Sequence, residues 1–74
     1  MVIVTFKDSR HNLVAFFYST FKTVAEAKRH MEADAYAYSG VHGGMPKWIN
    51  PMFEDYLEVK GDDGHTCIWQ YCQY

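Results

Sequence analysis

Seventy-four residues with two cysteines, two prolines, a net charge of −2 and no long apolar run leave few functional classes open. Two cysteines cannot supply a disulfide framework, and free cysteines in so short a chain behave as small buried hydrophobes. The longest apolar run, Leu13 to Tyr18 (LVAFFY), is far too short to span a bilayer. The start, MVIVTFKD, has neither a basic leader nor an apolar core, so a cytoplasmic protein is expected, with no membrane partner. The small negative charge argues against general nucleic-acid binding, which demands a basic face. No phosphate loop is present: Gly43-Gly44 leads into Met45-Pro46, not into Lys-Ser/Thr and a helix.

Metal and nucleophile signatures are equally thin. A zinc site built from His65 and Cys67 with Cys72 and one of His11, His30 or His42 fails on parity. Cys67 and Cys72 differ by five residues, so one regular strand points them to opposite faces. The same parity disfavours a disulfide between them. His11 and His42 fall in expected turns and His30 on the wet side of a helix, with no local pattern tying a thiol or hydroxyl to a base. Asp62 and Asp63 read as turn residues before they read as metal ligands. The expectation is a non-enzyme with no cofactor and no metal.

Aromatic residues are what the chain has in excess: five Phe, six Tyr and two Trp. Each ring buries about 150–250 Å² when covered, more than one short helix can accommodate. That helix is the clearest element. Thr23-Val24-Ala25-Glu26 matches a capping box, in which Thr23 accepts from the Glu26 amide and Glu26 reaches back. Val24, Ala27, Met31, Ala35 and Tyr38 then recur at helical spacing and line one face, and Gly40 is the expected terminator. The stripe is mostly small, so large groups must come from the surface it packs on.

Short runs on either side supply them. Met1 to Phe6 and Leu13 to Tyr18 read as a hairpin around the polar cluster Asp8 to Asn12. Exposed, LVAFFY would be an aggregation hazard, which argues for a central strand. Ser39 to Pro51 is a long connection in which Trp48 and Ile49 are expected to tuck in as anchors. Asp55 to Lys60 places Leu57 and Val59 on an apolar side opposite Glu58 and Lys60. Gly61-Asp62-Asp63-Gly64 is a turn. In the last strand, Cys67, Trp69 and Tyr71 share one face and Ile68, Gln70 and Cys72 the other. The expected fold is a single α+β domain, ββαββ: a four-stranded antiparallel sheet with one helix on one face, leaving the other face as a binding surface or homodimer interface.

Charge is distributed unevenly along the chain. Residues 1–50 hold six basic groups against four acids; residues 51–74 hold Glu54, Asp55, Glu58, Asp62 and Asp63 against Lys60. Buried aromatic anchors carry interface energy and charged rims steer encounter. Trp48 with Glu54, Asp55, Glu58, Asp62 and Asp63 is therefore the candidate partner-binding set. Lys7, Lys22, Lys28 and Arg29 form the alternative, weakly basic side for a nucleic acid.

Taken as an outline (the length, the capped helix TVAEAKRHMEA, the turn GDDG and the aromatic ending CIWQYCQY), the chain resembles small accessory proteins of bacteriophages and mobile elements, the anti-CRISPR and anti-defence proteins. The resemblance implies a non-catalytic inhibitor that occupies a surface on a host protein or ribonucleoprotein complex. It carries no motif that assigns a role to a residue, and the modest acidity departs from the strongly acidic proteins that mimic DNA.

Overall fold

The computed structural model describes residues 1–10 and 13–74, so His11 and Asn12, candidates for the first turn and for a metal set, lie outside the described residues. The elements are β1 (Val2–Arg10), β2 (Leu13–Phe21), α1 (Val24–His42), β3 (Lys47–Trp48), β4 (Tyr56–Lys60) and β5 (His65–Gln73). They form one antiparallel sheet of five strands in the order β2-β1-β5-β4-β3, with α1 across one face. The α+β class matches expectation; the strand count does not. The fifth strand, Lys47–Trp48, lies inside the expected loop and is too short to show a period.

The helix begins as its cap dictates. Thr23 is extended, and its Oγ1 accepts from the Glu26 amide at 3.2 Å. Ala27, Met31 and Ala35 are buried, with Val24 and Tyr38 packed at the margins. The helix does not stop at Gly40. Gly in a helix costs only about 1 kcal/mol, and the chain continues to His42, where the Gly43 amide closes the last turn on the Ser39 carbonyl. Gly43 has φ 81° and ψ −176°, a region essentially restricted to glycine. Gly44, also at φ 81°, would place a Cβ 2.2 Å from the Lys60 carbonyl oxygen. The two glycines let the helix end dock directly on the β4–β5 turn, where the Asp62 amide donates to the His42 carbonyl at 2.8 Å.

The core lies between helix and sheet. Val2, Val4, Leu57, Val59, Cys67 and Trp69 face the helix stripe, and every one is at most 2% exposed. Phe6, Tyr38 and Trp69 pack as an aromatic cluster with centroids 5.0–5.6 Å apart. The expected two-faced reading of β5 holds: Cys67 and Trp69 are buried, Gln70 and Cys72 are exposed on the other side, and both cysteines are free thiols.

β1 and β5, the first and last strands, occupy the centre of the sheet and pair along nine residues. The Met1 ammonium donates to the Tyr74 carbonyl and the Tyr74 amide returns a bond to Met1. β1 extends to Arg10, beyond the expected end at Phe6, because its polar half, Lys7 to Arg10, is paired on both sides. That insertion of β5 beside β1 displaces β2 to the rim. The expectation of a central LVAFFY strand is therefore wrong: β2 is an edge, and all of it except Phe21 is exposed.

Candidate functional site

The two sheet edges differ sharply. β3 is two residues long between Pro46 and Pro51, and such a short, proline-flanked edge offers little to a pairing strand. β2 runs for nine residues without a charge, a glycine or a proline. Its side chains alternate across the sheet. Leu13, Ala15, Phe17 and Ser19 stand opposite Arg10, Asp8, Phe6 and Val4 on the helix side, whereas Val14, Phe16, Tyr18 and Thr20 stand on the open side. The helix packs over β1, β4 and β5 and meets only the end of β2, through contacts such as His30 on Phe21 (centroids 4.9 Å). Leu13, Val14, Phe16, Phe17 and Tyr18 are consequently 59–78% exposed. Phe16 and Tyr18 leave roughly 200–300 Å² to solvent on the open face, and Phe17 roughly 100–150 Å² on the helix side.

The acidic set expected at the partner surface is not gathered into one patch. Glu54 and Asp55 sit at the start of β4 and Asp62 and Asp63 beyond its end. The strand between them, Tyr56 to Lys60, is about 13 Å long. Glu54 pairs with Lys28 at 3.1 Å and adopts φ 49°, closing the turn through its amide on the Asn50 carbonyl. Asp55 accepts from Asn50 Nδ2 at 3.3 Å. Glu58 points to the open face, within 3.9 Å of Lys60 Nζ. Trp48 is half-buried against the core opposite Leu57, as expected of an anchor, but Ile49 beside it is largely exposed. Met52 and Phe53 at the tip of the same loop are exposed as well.

At the opposite end, the helix terminus and the β4–β5 turn bring together residues that the sequence keeps some twenty positions apart. His42 Nδ1 lies 2.7 Å from Asp63 Oδ2, and His65 Nδ1 3.0 Å from Asp63 Oδ1. The imidazoles stack with centroids 4.2 Å apart and planes at 26°. The His42 contact is a hydrogen bond; the His65 Nδ1 contact lies outside hydrogen-bonding angles, leaving that buried nitrogen unpartnered. The His65 amide does bond Asp63 Oδ1, at 3.1 Å. The bond to His42, joined by the one from the His65 amide and by the nearby His65 ring, holds the Asp63 carboxyl well below the usual carboxylate range. The sequence places His42 in a turn and Asp63 in a hairpin; it joins His42 to His65 only in the discounted zinc set with Cys67 and Cys72, and leaves Asp63 out. The available signal was the pair of glycine-flanked clusters, His42-Gly43-Gly44 and Gly61-Asp62-Asp63-Gly64-His65.

Cys67 is buried with Sγ 3.7 Å from Asp8 Oδ1. Burial, with Asp8 adding to it, pushes its thiol up to about 12, so it is no nucleophile at neutral pH. No described helix is long and apolar enough to cross a membrane. Comparison with protein-family models, curated proteins and solved structures finds no match.

Proposed function

We propose that this chain is a small non-catalytic binding protein that blocks or modulates a macromolecular complex, as an anti-defence inhibitor does, by offering β2 to an extended segment of a protein partner. The supporting observation is the exposure of β2 on both of its faces at once. Strand addition supplies main-chain hydrogen bonds along an edge and seats alternate side chains to either side of it. Leu13 and Phe17 would be covered on the helix side, and Val14, Phe16 and Tyr18 on the open side.

A nucleic-acid reading has its own support, on a different surface from the one the sequence suggests. Lys28 on the helix is paired with Glu54, whereas Lys7, Lys47 and Lys60 share the open sheet face with Phe16, Tyr18 and Tyr56, against one acid, Glu58. Rings and cations on one sheet suit stacked bases. Such a ligand covers one face only and leaves Leu13 and Phe17 in water, which is why the protein partner is preferred.

The test is affinity capture by the tagged chain, with and without nuclease, beside a Phe16→Glu/Tyr18→Glu variant. Both positions are exposed, so the thermal midpoint should stay near wild type. A stoichiometric protein that survives nuclease and is lost with the variant supports the reading. Capture abolished by nuclease transfers the role to the open face and nucleic acid. A wild-type dimer that the variant dissociates, with nothing else bound, makes a second copy the occupant.

A further inference from the structure

We infer that His42, Asp63 and His65 form a binding site for a divalent transition-metal ion, independent of the β2 surface. Their ligand atoms all lie within 4.8 Å of one another. Two imidazoles and one carboxylate make a borderline donor set suited to zinc or iron(II), and three protein ligands leave a coordination position open for water or an exogenous group.

The cluster carries an unused donor in its present form. One carboxylate faces two imidazole Nδ1 atoms, and only His42 engages it in a hydrogen bond. His65 Nδ1 is shut off from solvent with no partner of its own. The two rings stack at 4.2 Å beside a single carboxylate that hydrogen-bonds only one of them. A metal ion resolves that conflict. It takes a lone pair from each neutral ring and the charge of the carboxylate, once the hydrogen on His42 Nδ1 has passed to Nε2 of the same ring.

Ligation requires the rings to turn, because an imidazole lone pair lies in its ring plane and planes at 26° do not converge on a point about 2 Å from both Nδ1 atoms. Ligands bonded to zinc at about 2.0–2.1 Å in a tetrahedron lie about 3.3–3.4 Å apart. The Asp63 contacts, at 2.7 and 3.0 Å, must open by a few tenths of an ångström. Asp63 stands on an exposed turn and can draw back. The backbone of His42 is held, its carbonyl tied to the Asp62 amide, so the turn falls on the side chains, with His42 leaving its stack between Tyr38, at 5.5 Å, and His65. Gly61 leaves the room this needs. A Cβ there would come within 2.8 Å of His42 Cβ and 2.9 Å of Asp63 Oδ1.

The test is a titration of the chelator-stripped full chain with zinc alone, followed by imidazole ¹⁵N chemical shifts and by thermal midpoint. The expected result is saturable one-to-one binding in which His42 and His65 shift together at Nδ1 while His30 does not. The midpoint should rise on the order of 10 °C at a hundredfold excess over Kd. His42→Ala and His65→Ala should each weaken binding at least tenfold, while His30→Ala and Cys72→Ser leave it unchanged. Absence of saturable binding to the folded wild-type chain overturns the proposal. So does binding that leaves the His42 and His65 signals unmoved or that disappears with Cys72→Ser. Because the ring signals are read in wild type, a variant that fails to fold does not blunt the test.

Discussion

Alanine at Gly44 is expected to cost this protein far more than alanine at Gly64, another glycine at positive φ. The two have nearly the same φ, 81° and 89°, so a strain of about 1 kcal/mol for an L-residue at positive φ is set against both. Their surroundings differ. At Gly64 a Cβ meets nothing within 4 Å, whereas at Gly44 it would stand 2.2 Å from the Lys60 carbonyl oxygen, a backbone atom held in the sheet. Relief requires the helix end to lift from the β4–β5 turn. That movement threatens the bond from the Asp62 amide to the His42 carbonyl and the one from Ser39 Oγ to the Gly44 carbonyl. At about 1 kcal/mol for each bond, Gly44→Ala should cost about 3 kcal/mol against about 1 kcal/mol for Gly64→Ala. A chain of this size has roughly 4–11 kcal/mol in total. Gly40→Ala, in an exposed helix position with open space around it, should instead stabilise by about 0.5–1 kcal/mol. Urea unfolding of the three variants, extrapolated to water, measures all of these. Equal losses at Gly44 and Gly64, or a loss at Gly40, would refute the docking of the helix end that brings His42 to Asp63.

Thiol labelling under native conditions should modify Cys72 quickly and Cys67 only on unfolding, because Cys67 is buried and its thiol is pushed up to about 12; equal rates would contradict the buried face of β5. Asp63 has a carboxyl depressed in the folded state, so its contribution to stability is complete above its unfolded value near 4 and is lost as pH falls through the folded one. The stability difference between wild type and Asp63→Asn should therefore begin to shrink below about pH 4 and go on shrinking as pH falls further, read by thermal melts across that range; a difference undiminished at pH 2 would remove the Asp63 bonds from the account.

Legibility in the sequence followed the locality of the interaction. The helix start at Thr23, its stripe from Val24 to Tyr38, and the opposed faces of β5 are set by neighbours a few residues away, and each reads directly from spacing. The sheet order is not local. β2 has apolar residues on both faces, the pattern of a strand covered on both sides, yet it lies at the rim because β5 closes beside β1 and takes the central place. Asp8, Ser9 and Arg10 read as a turn by composition but are held in the ladder from both sides. Trp48 is read correctly as a half-buried anchor, while the strand it belongs to is too short to show any alternation. The acidic residues from Glu54 to Asp63 are close in sequence and separate in space, since a strand and a face change lie between them. The reverse is true of His42, Asp63 and His65, which are united only when Gly43, Gly44 and Gly61 let helix end and turn close on each other.

The most direct measurement is residue-resolved hydrogen exchange across Leu13–Phe21, in the chain alone and bound to the captured partner. A free edge exposes every second amide of β2 to solvent, so those should exchange rapidly in the dilute chain while the amides of β1 and β5 are protected. In the complex the fast amides of β2 should become slow, with little change on the outer side of α1. Fast β2 amides that stay fast in the complex, with protection arising elsewhere, would contradict a partner strand at this edge.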